Sequence, residues 1–445
     1  MTRLAYFFYS LLLAAAMLLS LPYWLYQVVR HGKYRKGFAE RAGKVPGRIL
    51  TAACGRRVIW VHAVSVGEVL AVARLVEEMR ASLPEHKLVV TTTTDTGQTL
   101  ARKRFGGENV FYFPMDFEFA ITPYLQALRP ELVILAETEF WPNFLRLVHS
   151  SGSRIAVVNG RISDRSWPRY RRFRRALRKM LCQLDLLLVQ TQEDSERLRF
   201  LGAPAERVRV TGNLKFDMAP ATPPAIVENL RRSLAAEPAG PVLVCGSTVE
   251  GEEPPLLKAF QNLRVQHPRA VMLLAPRHPE RFDDVAILLQ QLELPFFRRS
   301  LWNGEALSGR VLLLDSIGEL ATVYALADIA FVGGSLVPRG GHNIIEPAQF
   351  GKAIVVGNHT ENFRDIVALF QSRDALRIVG LAELPLMFMQ LLADDAERRG
   401  LGERALDTIR SQMGATARSL QLLRQLLPGS GQSVQRAAAP SPQNP

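Results

Sequence analysis

The chain has 445 residues, 48% of them hydrophobic, and a formal net charge of +13. This length and composition supply apolar material for two or three packed domains and exclude a disordered chain. The three cysteines, Cys54, Cys182 and Cys245, lie far apart with no histidine beside them, so neither a disulfide framework nor a zinc site is indicated and a reducing compartment fits best. The positive charge indicates an anionic neighbour: lipid, nucleic acid or a phosphorylated substrate.

The N-terminal residues 4–29 form an almost unbroken apolar run, long enough to cross a hydrocarbon core of about 30 Å. We predict a membrane anchor over residues 1–30. A cleaved signal peptide is the alternative, because Ala14 to Ala16 are small. Basic residues follow the run at Arg30, Lys33, Arg35 and Lys36. The positive-inside rule then predicts that everything after the anchor lies on the cytoplasmic side of the membrane.

Short apolar runs alternate with helical patterns along the rest of the chain, which is typical of βα units. The predicted strands are residues 58–62, 88–93, 110–113, 132–136, 155–159, 186–190 and 208–211, then 242–245, 271–275, 311–314, 329–332, 354–356 and 377–379. We predict an α/β protein of two Rossmann-like, doubly wound domains that face a cleft where ligands bind.

Composition sets the domain boundaries. The predicted N-terminal domain covers residues 31–217, and a proline-rich linker covers 218–225. The predicted C-terminal domain covers 226–427, with helices from about residue 381. A tail rich in Pro, Ser, Gln and Ala covers 428–445 and is expected to be mobile.

A glycine-rich stretch after the predicted strand at 329–332 has the features of a nucleotide pocket. Its glycines permit tight turns and close approach of the backbone to a ligand. Asn343 can cap a following helix, whose N-terminus suits a phosphate, and Glu346 can accept hydrogen bonds from ribose hydroxyls. An ordinary connection between a strand and a helix is the alternative.

Polar residues also follow strands of the first predicted domain. Glu68 begins a helix after the strand at 58–62, Glu137 and Glu139 follow the strand at 132–136, and Lys215 closes the last βα unit. Each has a structural alternative. Glu68 is placed to serve as a helix-capping carboxylate, one of the other two acids as a helix cap, and Lys215 as the partner of Asp217.

The second domain repeats this arrangement. Residues 246–253 form another strand-to-helix turn with three acids, Arg277 and His278 follow the strand at 271–275, and residues 315–319 follow the strand at 311–314. Arg277 suits a phosphate or carboxylate, and its alternative is a weak surface pair with Glu280.

The densest basic cluster lies on a predicted helix opened by Pro168, with the aromatics Trp167, Tyr170 and Phe173 between its charges. Its members are Arg165, Arg169, Arg171, Arg172, Arg174, Arg175, Arg178 and Lys179. In a tethered protein such a helix suits lipid headgroups or a phosphorylated glycolipid better than nucleic acid, for which no recognisable module is present. A solvated charged face with buried aromatics is the alternative.

Six motifs together resemble one family, the 3-deoxy-D-manno-octulosonic acid (Kdo) transferases of lipopolysaccharide synthesis. The motifs are residues 65–68, 137–143, 212–217, 246–253, 276–281 and 340–346, and the resemblance runs from the anchor to about residue 425. It implies the GT-B glycosyltransferase fold. It also implies transfer of Kdo from CMP-Kdo to a lipid A precursor, lipid IVA, at the cytoplasmic leaflet of the inner membrane.

The resemblance further implies roles for individual residues. Glu68 matches the general base, and Glu137 and Lys215 match positions that stabilise the transition state. The positions that match CMP contacts are Pro276, Arg277, Ile317, Gly318, Glu319, Asn343, Ile344, Ile345 and Glu346. Direct displacement of CMP by the acceptor hydroxyl implies inversion, and a single phosphate on the leaving group implies that no metal cofactor is needed.

Two other functions remain open from the sequence. A GT-B transferase or epimerase that uses a UDP-sugar is one, because the same helix N-terminus and Glu346 suit the phosphate and ribose of that nucleotide as well. A membrane-tethered lipid-binding or scaffold protein with a silent catalytic site is the other, and the presence of Glu68, Glu137 and Lys215 together argues against it.

Overall fold

The structure, a computed structural model, describes residues 3–31, 37–164, 166–217, 225–236 and 239–428. The chain divides into two compact units. The first consists of Met1–Met218 and Met413–Pro445, and the second of Ala219–Gln412. The predicted linker, except for Ala225, and the predicted tail beyond residue 428 lie outside the described residues.

Each unit is built on a seven-stranded parallel sheet. The strands of the first unit are β1 Arg57–His62, β2 His86–Thr92, β3 Val110–Tyr112, β4 Leu132–Ala136, β5 Arg154–Gly160, β6 Leu186–Val189 and β7 Val208–Val210. Those of the second are β8 Val242–Thr248, β9 Val271–Pro276, β10 Phe296–Arg298, β11 Val311–Leu313, β12 Ile329–Val332, β13 Ala353–Val356 and β14 Arg377–Ile378. Every apolar run predicted as a strand is one. The sequence missed β10, which has three residues and none fully buried.

The strand orders place the polar loops at two switch points. The first sheet runs β3-β2-β1-β4-β5-β6-β7 and the second β10-β11-β9-β8-β12-β13-β14. The chain therefore winds in opposite directions from β1 and β4 in the first unit, and from β8 and β12 in the second. Ligands of open parallel sheets bind beyond the carboxyl ends of the strands at such reversals.

The helices cover the faces of the sheets. They are α1 Arg3–His31, α2 Phe38–Arg41, α3 Gly47–Ala53, α4 Val66–Ser82, α5 Asp95–Phe105, α6 Glu118–Leu128, α7 Pro142–Ser150, α8 Trp167–Arg172, α9 Arg174–Leu181, α10 Gln192–Leu201, α11 Ala225–Ala236, α12 Glu253–Gln266, α13 Phe282–Gln291, α14 Leu320–Val323, α15 Ile345–Ala348, α16 Arg364–Ser372, α17 Leu384–Ala393, α18 Asp395–Gln412 and α19 Ala415–Arg424.

The central strand β1 shows why its sequence is apolar from Val58 to Val61. Val58 and Trp60 point to one face of the first sheet, where Trp60 meets the rings of Phe111 and Phe144. Ile59 and Val61 point to the other face. Both faces are buried under helices, so the strand carries a continuous apolar run with no alternation of polar residues.

The C-terminal helix α19 does not belong to the second unit, as the predicted domain 226–427 required. It packs on α4 in the first unit, and Ala415 and Leu423 join the apolar core there. Asp217 secures the contact because its buried carboxylate accepts hydrogen bonds from the backbone N–H groups of Gly414 and Thr416. The chain thus returns to its first unit after residue 412.

The N-terminal apolar run is one helix, α1. Its segment Leu4–Pro22 has a mean hydropathy of 2.1, and by length and composition it is able to cross a membrane. Lys33, Arg35 and Lys36, which the positive-inside argument used, lie outside the described residues.

The basic cluster occupies two short helices, α8 and α9, where the sequence predicted one. The two meet at Phe173, whose side chain is 57% exposed. Trp167 and Tyr170 pack against the core of the first unit, while the described arginines of the cluster are exposed. Arg165 lies outside the described residues.

Candidate active site

The first candidate centre lies at the carboxyl ends of β1 and β4, the neighbouring strands at the switch point of the first sheet. Glu68 sits in the first turn of α4, 9% exposed. Its carboxylate accepts hydrogen bonds from the backbone N–H of Val64 at 2.8 Å and from the Ser65 hydroxyl at 3.2 Å. The capping contact that the sequence offered as an alternative is therefore present.

Capping does not decide the protonation state of Glu68. Burial, the largest influence, and the negative charges of Glu137 and Glu139 together raise the pKa of its carboxyl to about 8, although the two hydrogen bonds act in the opposite direction. A carboxyl group with a pKa near the working pH can accept and release a proton.

Glu137 and Lys215 lie beside each other in this centre. Glu137 has a positive φ of 56°, a left-handed conformation that is uncommon for a residue other than glycine, and it follows β4 directly. The Lys215 ammonium lies 3.7 Å from a Glu137 carboxylate oxygen. Asp217, the alternative partner of Lys215, instead directs its carboxylate to α19. Burial, followed by the charge of Glu137, raises the pKa of Glu139.

A second cluster lies in the second unit, beyond the carboxyl ends of β9 and β12. Arg277 follows β9, and its backbone N–H bonds the Thr248 carbonyl at 2.8 Å. Burial and the charges of Arg277 and His278 lower the pKa of His342 to about 4, so this imidazole is neutral at pH 7. Burial raises the pKa of Glu346, and Arg277 opposes that rise. Arg277, His342 and Glu346 are thus electrostatic neighbours.

Asn343 holds the start of the short helix α15. Its side-chain oxygen accepts a hydrogen bond from the Ile345 N–H, and its amide donates one to Glu346, each at 3.2 Å. Ile344 and Ile345 are buried. Their side chains are therefore not exposed for contact with a ligand.

The backbone of the glycine-rich loop is bound by a carboxylate from another loop, a contact that sequence reasoning missed. Glu252, completely buried, accepts hydrogen bonds from the backbone N–H groups of Gly334, Ser335 and Leu336 at 2.7 to 2.9 Å. These N–H groups are therefore not offered to a ligand phosphate. Gly334 has φ +71°, and a Cβ there would lie 2.8 Å from the His342 ring. The signal for this contact was the run of three acids in residues 246–253.

Residues 317–319 form a separate loop after β11. The Ile317 side chain is 80% exposed and Gly318 has φ +92°. Glu319 already pairs with Arg299 at 3.0 Å and accepts a hydrogen bond from Ser316. Pro276 ends β9 directly before Arg277. Within the described ranges, no group of three His, Cys, Asp or Glu side chains is arranged to hold a metal ion.

Comparison with a solved structure identifies the fold. The chain is similar over 83% of its length to UDP-GlcNAc 2-epimerase from Neisseria meningitidis bound to UDP-GlcNAc, covering 99% of that chain with a TM-score of 0.55 and 14% identity. At this identity the likeness defines the fold alone. Two seven-stranded parallel α/β units with polar loops at their switch points give this protein the GT-B fold.

Sequence relatives define the family. The family model described as 3-deoxy-D-manno-octulosonic-acid transferase matches residues 36–218. The 3-deoxy-D-manno-octulosonic acid transferase of Haemophilus influenzae is 34% identical over 428 residues, 95% of this chain and 98% of the relative. That of Bordetella pertussis is 37% identical over 383 residues, 82% of this chain and 86% of the relative. The chain belongs to the Kdo transferases, glycosyltransferases of lipopolysaccharide biosynthesis.

Proposed function

We propose that this glycosyltransferase moves Kdo from CMP-Kdo to the lipid A precursor lipid IVA, with Glu68 as the general base. One observation carries the assignment of the base: a buried carboxyl group at the carboxyl end of β1 whose pKa is raised to about 8. A base in that range matches the working pH and accepts a proton in the transition state.

The reaction needs only one general base. The acceptor hydroxyl oxygen forms a bond to the anomeric carbon of Kdo, the bond from that carbon to the CMP phosphate oxygen breaks, and the hydroxyl proton passes to Glu68. CMP leaves with the electron pair of the broken bond. Attack from the face opposite CMP inverts the anomeric centre, and no covalent enzyme intermediate is formed.

Lys215 and Glu137 form the electrostatic partner of the base. Their ion pair, with 3.7 Å between charged atoms, fixes an ammonium group near Glu68. A fixed cation stabilises negative charge on the Kdo carboxylate or the departing phosphate without reorganisation during the reaction.

The donor nucleotide is assigned to the second unit. Arg277 supplies a cation for the phosphate, and Glu346, oriented by Asn343, accepts hydrogen bonds from the ribose hydroxyls. Pro276, residues 317–319 and the backbone of 344–345 complete the contacts. A single phosphate facing these groups requires no metal cofactor, so we expect the rate to be unchanged by a chelator.

The place of reaction is assigned to the cytoplasmic leaflet of the inner membrane. The apolar segment Leu4–Pro22 and the exposed basic helices α8 and α9 support association with an anionic lipid surface that carries the glycolipid acceptor. Nucleic acid is not a partner in this assignment.

The test uses the full chain in detergent with CMP-Kdo and lipid IVA, and follows CMP release and the mass of the lipid product. Glu68→Gln keeps an oxygen that accepts from the Val64 N–H and an amide group that can donate to the Ser65 hydroxyl, but it removes the base. We therefore expect transfer to fall at least 1000-fold with CMP affinity within twofold of wild type. The matched control is Glu78→Gln, on the same helix α4 and 34% exposed. Near-native turnover by Glu68→Gln removes it as the base. Turnover with UDP-sugars in place of CMP-Kdo supports the UDP-sugar enzyme, and the absence of turnover with every donor supports the lipid-binding or scaffold protein.

A further inference from the structure

The N-terminal helix α1 is fastened to the first unit by polar contacts along one face. The Tyr9 hydroxyl donates to Asp116 at 2.9 Å, the Asn143 amide donates to Ser10 at 2.9 Å, and the Gln183 amide donates to Tyr6 at 3.0 Å. Hydrogen bonds of this kind have a defined direction and distance, so they hold the helix in one rotation about its axis. Helix α1 is therefore packed against the first unit through one face and is not only an apolar segment.

A pocket of about 180 Å³ lies between α1 and the loops that follow β2, β3 and β4. Its apolar lining is formed by Leu13, Met17, Phe113, Met115, Phe117 and Trp141. This volume is close to that of an engineered apolar cavity of about 150 Å³ that binds benzene. The carboxylate of Asp116 also borders the pocket, but its oxygens accept hydrogen bonds from Tyr9 and from the backbone of residues 143 and 144.

Two hydrogen bonds connect Thr93, a residue that lines the pocket, to Glu68. The guanidinium of Arg41, which borders the pocket, donates to the carbonyl of Thr93 at 2.5 Å. Thr93, a lining residue, donates its N–H to Val64 at 3.1 Å, and the Val64 N–H donates to Glu68 at 2.8 Å. The pocket and the Glu68 carboxyl are thus connected within the first unit through the backbone of Val64 and Thr93.

The other face of α1 is exposed and apolar. Its exposed residues are Leu4, Phe7, Phe8, Leu11, Leu12, Leu18 and Leu19. A contiguous face of this kind is matched by the hydrocarbon of a bilayer. The pocket therefore opens on a helix whose outer surface suits lipid chains, which favours an occupant that arrives from the membrane.

We propose that this pocket binds one fatty acyl chain of the glycolipid acceptor and so positions the acceptor sugar at Glu68. This assignment rests on the proposed function and deepens it, because it identifies where the lipid part of the substrate is recognised. Part of the binding free energy of the acyl chain then serves to orient the reacting hydroxyl. A bilayer phospholipid chain is the competing occupant.

The test fills the pocket. Leu13→Trp, in the full chain, puts an indole in the pocket, and Met17→Trp is a second filling variant at a residue 41% exposed. Leu12→Trp is the matched control, since Leu12 is the neighbouring residue of α1 and is 70% exposed on the outer face. Each variant is assayed with CMP-Kdo and two acceptors, lipid IVA and its fully deacylated sugar bisphosphate, and thermal melting confirms folding.

We expect both filling variants to raise KM for lipid IVA at least tenfold, which corresponds to the loss of about two buried methylene contacts. Their kcat/KM for the deacylated acceptor stays within twofold of wild type, and Leu12→Trp behaves as wild type with both acceptors. Filling variants that match Leu12→Trp, that lose equally on both acceptors, or that lose only membrane attachment overturn the proposal. A wild-type enzyme that releases no CMP with lipid IVA overturns the proposed function instead, and the assignment of the acyl chain with it.

Discussion

Opposing electrostatic influences meet at the single side chain of Glu68. The N-terminus of α4 and two hydrogen bonds favour its carboxylate form, whereas burial and the charges of Glu137 and Glu139 favour the protonated form and prevail. Because the pKa in the folded protein lies above the ordinary carboxyl value, ionisation of Glu68 opposes folding. That cost is absent at low pH, grows as the pH rises past the ordinary value and is complete above about pH 8.

The pH dependence of transfer follows from the same shift. The base must be ionised, so we expect kcat/KM to rise about tenfold per pH unit up to an inflection near pH 8 and to level off above it. Glu137→Gln removes a negative charge beside Glu68 and moves the inflection to lower pH. Glu139→Gln moves it less, because its charge acts more weakly on Glu68 than that of Glu137. Initial rates of CMP release between pH 5.5 and 9.5 measure the inflection.

The pH of the inflection can be compared between the variants even where a variant is slower, because it does not depend on the absolute rate. Glu78→Gln, a change of the same kind on α4 but outside the centre, leaves the inflection in place. A profile that is flat between pH 6 and 9, or an inflection that Glu137→Gln does not move, contradicts the assignment of Glu68.

At the scale of elements, the apolar runs predicted the strands well because parallel strands buried on both faces have almost no polar positions. The same runs placed Glu68 and Glu137 at strand ends, but not the left-handed backbone of Glu137, which follows from its tertiary surroundings. Helix α19 was assigned to the wrong unit since its amphipathic pattern shows that one face is buried, not which core covers it. The role of Glu252 was missed for a similar reason: its N–H partners lie more than 80 residues away.

The attachment of α19 depends on Asp217, which is 1% exposed. Asp217→Ala leaves the N–H groups of Gly414 and Thr416 without their carboxylate partner, so we expect the free energy of opening α19 to fall by about 2–3 kcal/mol. Hydrogen exchange of peptides from α19 and α4 measures this. Asp407→Ala, at a carboxylate 71% exposed on α18, is the control. Unchanged protection of α19 in Asp217→Ala contradicts the role of Asp217.

At the scale of the whole molecule, the net charge of +13 is spread unevenly. Helices α8 and α9 present exposed arginines beside the exposed ring of Phe173, and α1 presents an exposed apolar face in the same unit. Composition predicted an anionic neighbour, but the structure is needed to show that Trp167 and Tyr170 pack inward while the charges remain outside. A basic exposed surface in a glycosyltransferase of lipopolysaccharide biosynthesis is suited to anionic headgroups.

Replacing Arg171, Arg172 and Arg175 with Gln tests this surface in the full chain. Each basic residue near a membrane contributes on the order of 1 kcal/mol, so we expect the preference for phosphatidylglycerol over phosphatidylcholine vesicles to fall at least tenfold at low salt. Near 1 M salt the difference should vanish, because the Debye length is then about 3 Å. The matched control replaces Arg231, Arg399 and Arg410, which are also exposed. Vesicle flotation measures both preferences, and an equal effect of the two triple variants assigns the attraction to net charge instead of to α8 and α9.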